Sequence, residues 1–202
     1  MKNLRFLLLV PMFLLGAVAA LAEDGPAARI VTTMGTITIA LDRVHAPATV
    51  DNFIRYAREG HFDGTLFYRV QPGFVIQAGS YGADGKYRKL HKPVPLESGQ
   101  SNVRGAVAMA RDPAVPASAT AEFFIDLDDN NATGLDPKPG DAPNMTGFAV
   151  FGHVTAGMDV ADKIAAVQTG GGKGPFPDAQ PVTAVVIEKV IVSDGANGAS
   201  GP

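Results

Sequence analysis

The most regular feature of the chain is a series of short apolar runs in which alternate positions are polar or small, each closed by glycine, proline or an acidic residue. Runs of this length and period predict strands that bury one face. Ala28 to Leu41 reads as a hairpin, ARIVTT then TITIAL, with Met34-Gly35 at the turn and Ile37, Ile39 and Leu41 on one face. Gly64 to Gly79, GTLFYRVQPGFVIQAG, reads as a second pair, Thr65 to Val70 and Phe74 to Gln77 about a Gln71-Pro72-Gly73 turn. Alternation puts Phe67 and Arg69 on one face of its first strand and Leu66, Tyr68 and Val70 on the other. Further strands are expected at 94–96, 106–110, 123–127, 147–154 and 182–192.

Only two segments carry a helical period. Pro47 opens the first, where its missing N–H does no harm; Val50, Phe53, Ile54 and Ala57 form the apolar stripe, and Gly60 ends it. The second covers 158–167. Between the elements lie a charged loop at 80–93, a Pro/Ala/Ser crossing at 112–119 and a glycine/proline loop at 170–181. The polar loop at 128–146 is long for a compact domain, which marks either the rim of a site or mobility. Many short strands, few helices and no βαβ rhythm predict a mainly β fold, an antiparallel barrel or sandwich.

Composition changes the picture at the ends. Lys2 and Arg5, an apolar run from Phe6 to Val18 and Ala20-Leu21-Ala22 before Glu23 have the form of an export signal cleaved after Ala22. The expected organisation is a signal at 1–22, a linker at 23–27, one domain at 28–192 and a disordered tail at 193–202. The mature protein is therefore expected to be periplasmic or secreted, with no stable membrane anchor after cleavage. With no cysteine, lipid modification at the cleavage site, thiol catalysis and disulfides are excluded. A net charge of −3 without a basic cluster speaks against nucleic acid as a partner. No extended apolar stripe demands a second copy, so a monomer is expected.

Most chemistry fails on spacing. His45, His61, His91 and His153 show no metal-ligand pairing. Asp126 to Pro137 begins like a calcium loop but ends on proline where a bidentate glutamate is needed. Ala78 replaces the first glycine of a serine elbow, and the glycines at 170–174 lack a phosphate loop's spacing. No metal, nucleotide or other cofactor is implied. What remains is Arg69, at mid-strand between large apolar residues, where it must meet a carboxylate or face a cleft.

The string F-x-R-V-x-P-G-F-x-I-Q-x-G, carried by Phe67, Arg69, Val70, Pro72, Gly73, Phe74, Ile76, Gln77 and Gly79, resembles the core signature of cyclophilin-type peptidyl-prolyl cis-trans isomerases. NVRGAVAMAR at 102–111, SATAEFFI at 118–125 and GFAVFGHVTAGMDV at 147–160 follow in the family's order. The resemblance implies a closed eight-stranded antiparallel barrel capped by two α-helices. It also implies a cofactor-free isomerase acting on proline-containing peptides; with the export signal, unfolded exported proteins are the expected partners. In it, Arg69 matches the catalytic arginine; Phe74, Val75, Phe124 and Leu135 match the proline pocket, and Phe148 a further pocket position. Gln77 and the backbone at Ala110 and Arg111 match groups that hold the substrate backbone. Tyr68 stands where the family usually has histidine, Val75 methionine, Ala78 glycine, Glu122 glutamine and Phe148 histidine or tyrosine. Gly134 stands where an aromatic is common, which counts against cyclosporin binding. Glu122 and Arg111 place opposite charges near the groove and are expected to select peptide sequence.

Prolyl rotation breaks no covalent bond; it needs a barrier of ~18–20 kcal/mol lowered. Moving a half-life from tens of seconds to milliseconds takes roughly 6 kcal/mol, and one charge-assisted hydrogen bond contributes about 1.5–3 kcal/mol. Desolvation and a held, twisted peptide must supply the rest. Two other readings stand beside the enzyme: a proline-peptide binding or chaperone module with little turnover, and an adaptor that binds a partner through 128–146.

Overall fold

The computed structural model describes residues 25–172 and 174–195. The expected signal, the first two linker residues and most of the expected tail lie outside the described residues. Alternation in the first hairpin is realised residue for residue: β1 (Ala27–Thr32) pairs antiparallel with β2 (Gly35–Leu41), from Ala27↔Ala40 to Thr32↔Gly35. The turn falls on Thr33–Met34, one residue earlier than expected. Thr32 fastens it, its hydroxyl donating to the Gly35 carbonyl at 2.7 Å and accepting from the Met34 N–H at 3.1 Å.

The remaining strands are β3 (Thr65–Leu66), β4 (Arg69–Gln71), β5 (Val75–Ala78), β6 (Ala106–Met109), β7 (Phe123–Asp126), β8 (Ala149–Ala156) and β9 (Val186–Ser193). They form one antiparallel sheet in the order β3-β9-β1-β2-β8-β6-β7-β5-β4. The two edge strands are halves of one segment, separated only by Phe67 and Tyr68. On one side of it the Phe67 N–H donates to the Val185 carbonyl at 3.0 Å, and on the other the Tyr68 N–H donates to the Gln77 carbonyl at 3.1 Å. The sheet therefore curls until its edges meet, and with β3 and β4 counted as one interrupted strand it is the eight-stranded barrel expected. The segment at 94–96 gives only an isolated bridge, Val94↔Ala119.

The interruption corrects one expectation. Strict alternation would set Tyr68 beside Val70 and away from Arg69. Outside the ladder, residues 67 and 68 are free to twist: Phe67 and Val70 both enter the core, while Tyr68 and Arg69 both reach Gln77.

Helix α1 (Pro47–Arg58) has its proline in the first turn and its C-cap at Glu59, and Gly60 follows at φ 69°, a value that costs glycine little. Its Phe53 ring lies 5.1, 5.6 and 5.1 Å from the rings of Phe62, Phe123 and Phe151, all four fully buried. The polar loop at 128–146 is more ordered than its composition implied. Asp128 accepts from the Asn130 N–H at 2.8 Å, starting a turn that runs into the short helix α2 (Ala132–Leu135). Helix α3 (Met158–Ala165) packs against β2. No described helix is long and apolar enough to cross a membrane.

Strands β5, β6 and β7 are buried on both faces. Ile76, Val107, Met109, Phe123 and Ile125 point into the barrel. Val75, Ala106, Ala108 and Phe124 point outward and, with Val150, make a second, smaller cluster. Phe74, Ala110, Leu135 and Phe148 rest on it, only partly buried.

Candidate active site

The outward cluster is an open hollow of about 230 Å³. Neighbouring strands supply its floor, Val75 from β5 and Phe124 from β7, while Phe74 comes from the hairpin turn beside them. The end of α2 and the loops supply the walls. Leu135 is held in place because the Phe148 N–H donates to its carbonyl at 3.0 Å. The next residue, Asp136, is stapled to the segment before β6: one carboxylate oxygen accepts from the Asn102 N–H at 2.7 Å, the other from the Ser101 hydroxyl at 2.6 Å. Phe124 and Phe148 meet edge to face with centroids 5.6 Å apart.

Arg69 stands at the margin of this hollow. Its Nη1 donates to Gln77 Oε1 at 3.1 Å and its Nη2 to Gln71 Oε1 at 2.8 Å, both neutral amides that hold the guanidinium without cancelling its charge. Among the described residues it forms no ion pair. Its Nε is buried with no hydrogen-bond partner. The guanidinium carbon lies 5.5 Å from the Phe74 ring centroid and 4.5 Å from that of Phe176, a cation between two aromatic faces. Burial lowers its proton affinity, an effect opposed by Tyr68, yet an arginine starts so far above neutrality that it stays charged.

Gln77 is occupied at both ends, since its Nε2 also donates to the Tyr68 hydroxyl at 2.5 Å. Arg111 lies over Phe148 at 5.2 Å and is tied by backbone carbonyls, through Nε to Gly147 at 2.8 Å and through Nη1 to Asp112 at 2.9 Å. The Ala110 N–H donates to the Glu122 carbonyl at 2.8 Å, so it is not a free donor for a peptide.

Nine of the ten residues singled out from the sequence therefore line one hollow: Arg69, Phe74, Val75, Gln77, Ala110, Arg111, Phe124, Leu135 and Phe148. Glu122 does not. It sits among Tyr68, Ser80 and Tyr81, and both its carboxylate oxygens are shut off from solvent without a hydrogen-bond partner of good geometry. Placement as a charge facing the peptide is thus corrected: burial pushes its carboxyl up to about 7, against the opposing pull of the Tyr68 and Ser80 hydroxyls. Two lining residues were missed, Pro113 and Phe176. Both come from irregular glycine- or proline-rich segments, where no periodicity reports facing; an exposed phenylalanine in the loop at 170–181 was the only available signal. No group of side chains among the described residues could hold a metal ion.

A model of the family described as cyclophilin type peptidyl-prolyl cis-trans isomerase matches residues 27–192. The chain belongs to this family. Among relatives of this cyclophilin, peptidyl-prolyl cis-trans isomerase cyp18 of Streptomyces antibioticus is 43% identical over 163 residues, covering 80% of this chain and 95% of the relative. Peptidyl-prolyl cis-trans isomerase B of Escherichia coli K12 is 42% identical over 165 residues, covering 81% and 97%. In fold, the cyclophilin resembles a cyclophilin-type isomerase of Cryptosporidium parvum solved in the presence of the dipeptide Ala-Pro. The TM-score is 0.63 at 19% identity, with 83% of this chain and 98% of that one covered. Like its family, the cyclophilin is a prolyl isomerase.

Proposed function

We propose that this cyclophilin turns X-Pro bonds in unfolded exported proteins, with Arg69 as the catalytic group and the hollow beside it as the proline site. One observation carries the reading: a charged, half-buried guanidinium held by neutral amides at the mouth of an apolar cavity. A prolyl ring fits against Val75, Phe124, Leu135 and Phe148, leaving its nitrogen beside Arg69. Donation to the nitrogen lone pair weakens amide resonance, and the apolar walls remove the water that favours the planar, charge-separated amide. Because no carboxylate among the described residues shares the guanidinium, its field falls on the bond that turns. The Ala-Pro dipeptide used with the Cryptosporidium parvum protein supports proline peptides as the ligand class here.

Export rests on the N-terminal pattern that ends at Ala22. A protease-coupled assay on X-Pro peptides tests the catalytic reading. Arg69→Ala should lower kcat/KM by about 10- to 100-fold, the range that loss of one charge-assisted hydrogen bond sets; equal rates in a folded variant reject it. Sequencing the N-terminus of protein recovered from the cell envelope or medium tests export. A chain starting at Glu23 is expected, and one retaining residues 1–22 contradicts it.

A further inference from the structure

Glu122 stands just before β7 on the face that carries Phe124, yet it is covered. Gly79 runs so close that a Cβ there would lie 2.6 Å from the Glu122 Cα, a crossing that only glycine permits. This brings Ser80 to the carboxylate, which Tyr68 also reaches, with Tyr81 close enough to feel its charge. The groups acting on its charge are the Tyr68 hydroxyl and the Ser80 hydroxyl and N–H, and in turn its charge is felt by the Tyr81 and Tyr87 phenols. None of these groups is a cation. A buried carboxylate without one is expensive to maintain.

The polar side chains that lead from it toward Arg69 give the expense a use. The Tyr68 hydroxyl accepts from Gln77 Nε2, so its own hydrogen is free to turn onto Glu122. Gln77 Oε1 in turn accepts from Arg69. Arg69 donates to Gln77 and Gln77 to Tyr68; with Glu122 ionised, the Tyr68 hydrogen is drawn toward the carboxylate and the donors align in one direction. Aligned bonds of this kind polarise and strengthen one another. With Glu122 protonated, the row loses its anionic end, and the amide that fixes Arg69 is held less firmly.

We propose that Glu122 is a positioning residue which, when ionised, fixes the Arg69 guanidinium through Tyr68 and Gln77 and thereby makes turnover depend on pH. This rests on the reading of Arg69 as the group that acts on the prolyl bond. The carboxyl's midpoint near neutrality places the change in a range the protein can meet. Tyr68 is pushed upward by burial and by Glu122, so the phenol keeps its proton throughout. His61, whose Nε2 lies 3.5 Å from the Ser80 hydroxyl, is pushed down by burial and titrates on the acid side of an ordinary histidine.

The test is the dependence of kcat/KM on pH, from about pH 5.5 to about pH 8.5, for the wild type, Glu122→Gln, Tyr68→Phe and His61→Gln. The wild type should rise about two- to tenfold through neutrality, the range one hydrogen bond sets. The step should vanish in Glu122→Gln and Tyr68→Phe and persist in His61→Gln. In the wild type itself, the NMR resonance of Arg69 Nε should shift with the same midpoint as the Glu122 carboxyl. A flat wild-type profile, a step that survives in either of the first two variants, or an Arg69 resonance indifferent to that midpoint overturns the proposal. Failure of the underlying reading looks different: Arg69→Ala would then keep its full rate at every pH.

Discussion

Inside the barrel, Phe53, Phe62, Phe123 and Phe151 meet at 5.1 to 5.6 Å and leave no surface exposed. On the outer side, Phe124 and Phe148 also meet at 5.6 Å, but they line an open hollow, with the Arg111 guanidinium laid over Phe148. The residue types hardly differ. The covering does: α1 lays a continuous apolar stripe on the inside, whereas the outside receives separate side chains from α2 and from loops, among them Leu135, Phe148 and Phe176. Apolar strand residues become core where a helix seals them and a site where it does not. The outer side also holds two buried acids, Glu122 and Asp126, whose carboxyls burial pushes up to about 7.

Truncation on the two faces should separate stability from turnover. Phe53→Ala empties a sealed site and should cost about 3–5 kcal/mol in urea unfolding, enough to remove much of a typical domain's stability of about 5–15 kcal/mol. A loss below about 1 kcal/mol would mean that the interior is not the load it is taken to be.

The buried acids give the next largest effect, with a sign. Their folded pKa values lie above the ordinary carboxylate range, so between that range and about pH 7 the folded protein holds protons that the unfolded chain has released. Stability from these groups is therefore full at low pH and falls as pH rises through that window, by at most roughly 3 kcal/mol for Glu122. The urea midpoint should be higher near pH 5 than near pH 8, and Glu122→Gln should shrink the difference. A midpoint that rises across this window in the wild type contradicts the assignment.

On the outer face, Phe148→Ala should leave the unfolding midpoint almost unchanged, because the ring is already partly exposed. It should lower kcat/KM by about tenfold, the scale set by one lost apolar contact in a substrate pocket. A stability loss as large as that of Phe53→Ala would erase the distinction between the two faces. The smallest effect belongs to Phe176→Leu, which keeps bulk but removes the ring over Arg69; a cation–π contact of about 0.5–1 kcal/mol predicts a two- to fivefold fall in kcat/KM. Phe176→Tyr should restore the rate, and rescue by leucine instead would show that only bulk matters.

Most strand positions and α1 were legible because period-two runs and a Pro47-to-Gly60 frame report local geometry directly, whereas 94–96 gave only a bridge. Most of the hollow was legible through the family motifs, which carry Arg69 and Gln77 in one segment and Phe124 in another, at positions the barrel brings together. The twist at Phe67-Tyr68 was not, since a break in a ladder depends on which strands flank it. Phe176 lay in a loop whose path is set by tertiary contacts. Glu122 was misplaced for a related reason: its covering depends on Gly79 crossing a strand more than 40 residues away in sequence.

The central claim is that Arg69 does the turning and the outward apolar face does the holding. NMR exchange between the cis and trans forms of an X-Pro peptide, with the peptide's affinity measured in parallel, separates these two tasks. Arg69→Ala should still bind the peptide within a few-fold of wild type while catalysed exchange falls about 10- to 100-fold. Exchange that persists at the wild-type rate in a folded Arg69→Ala protein would contradict the account.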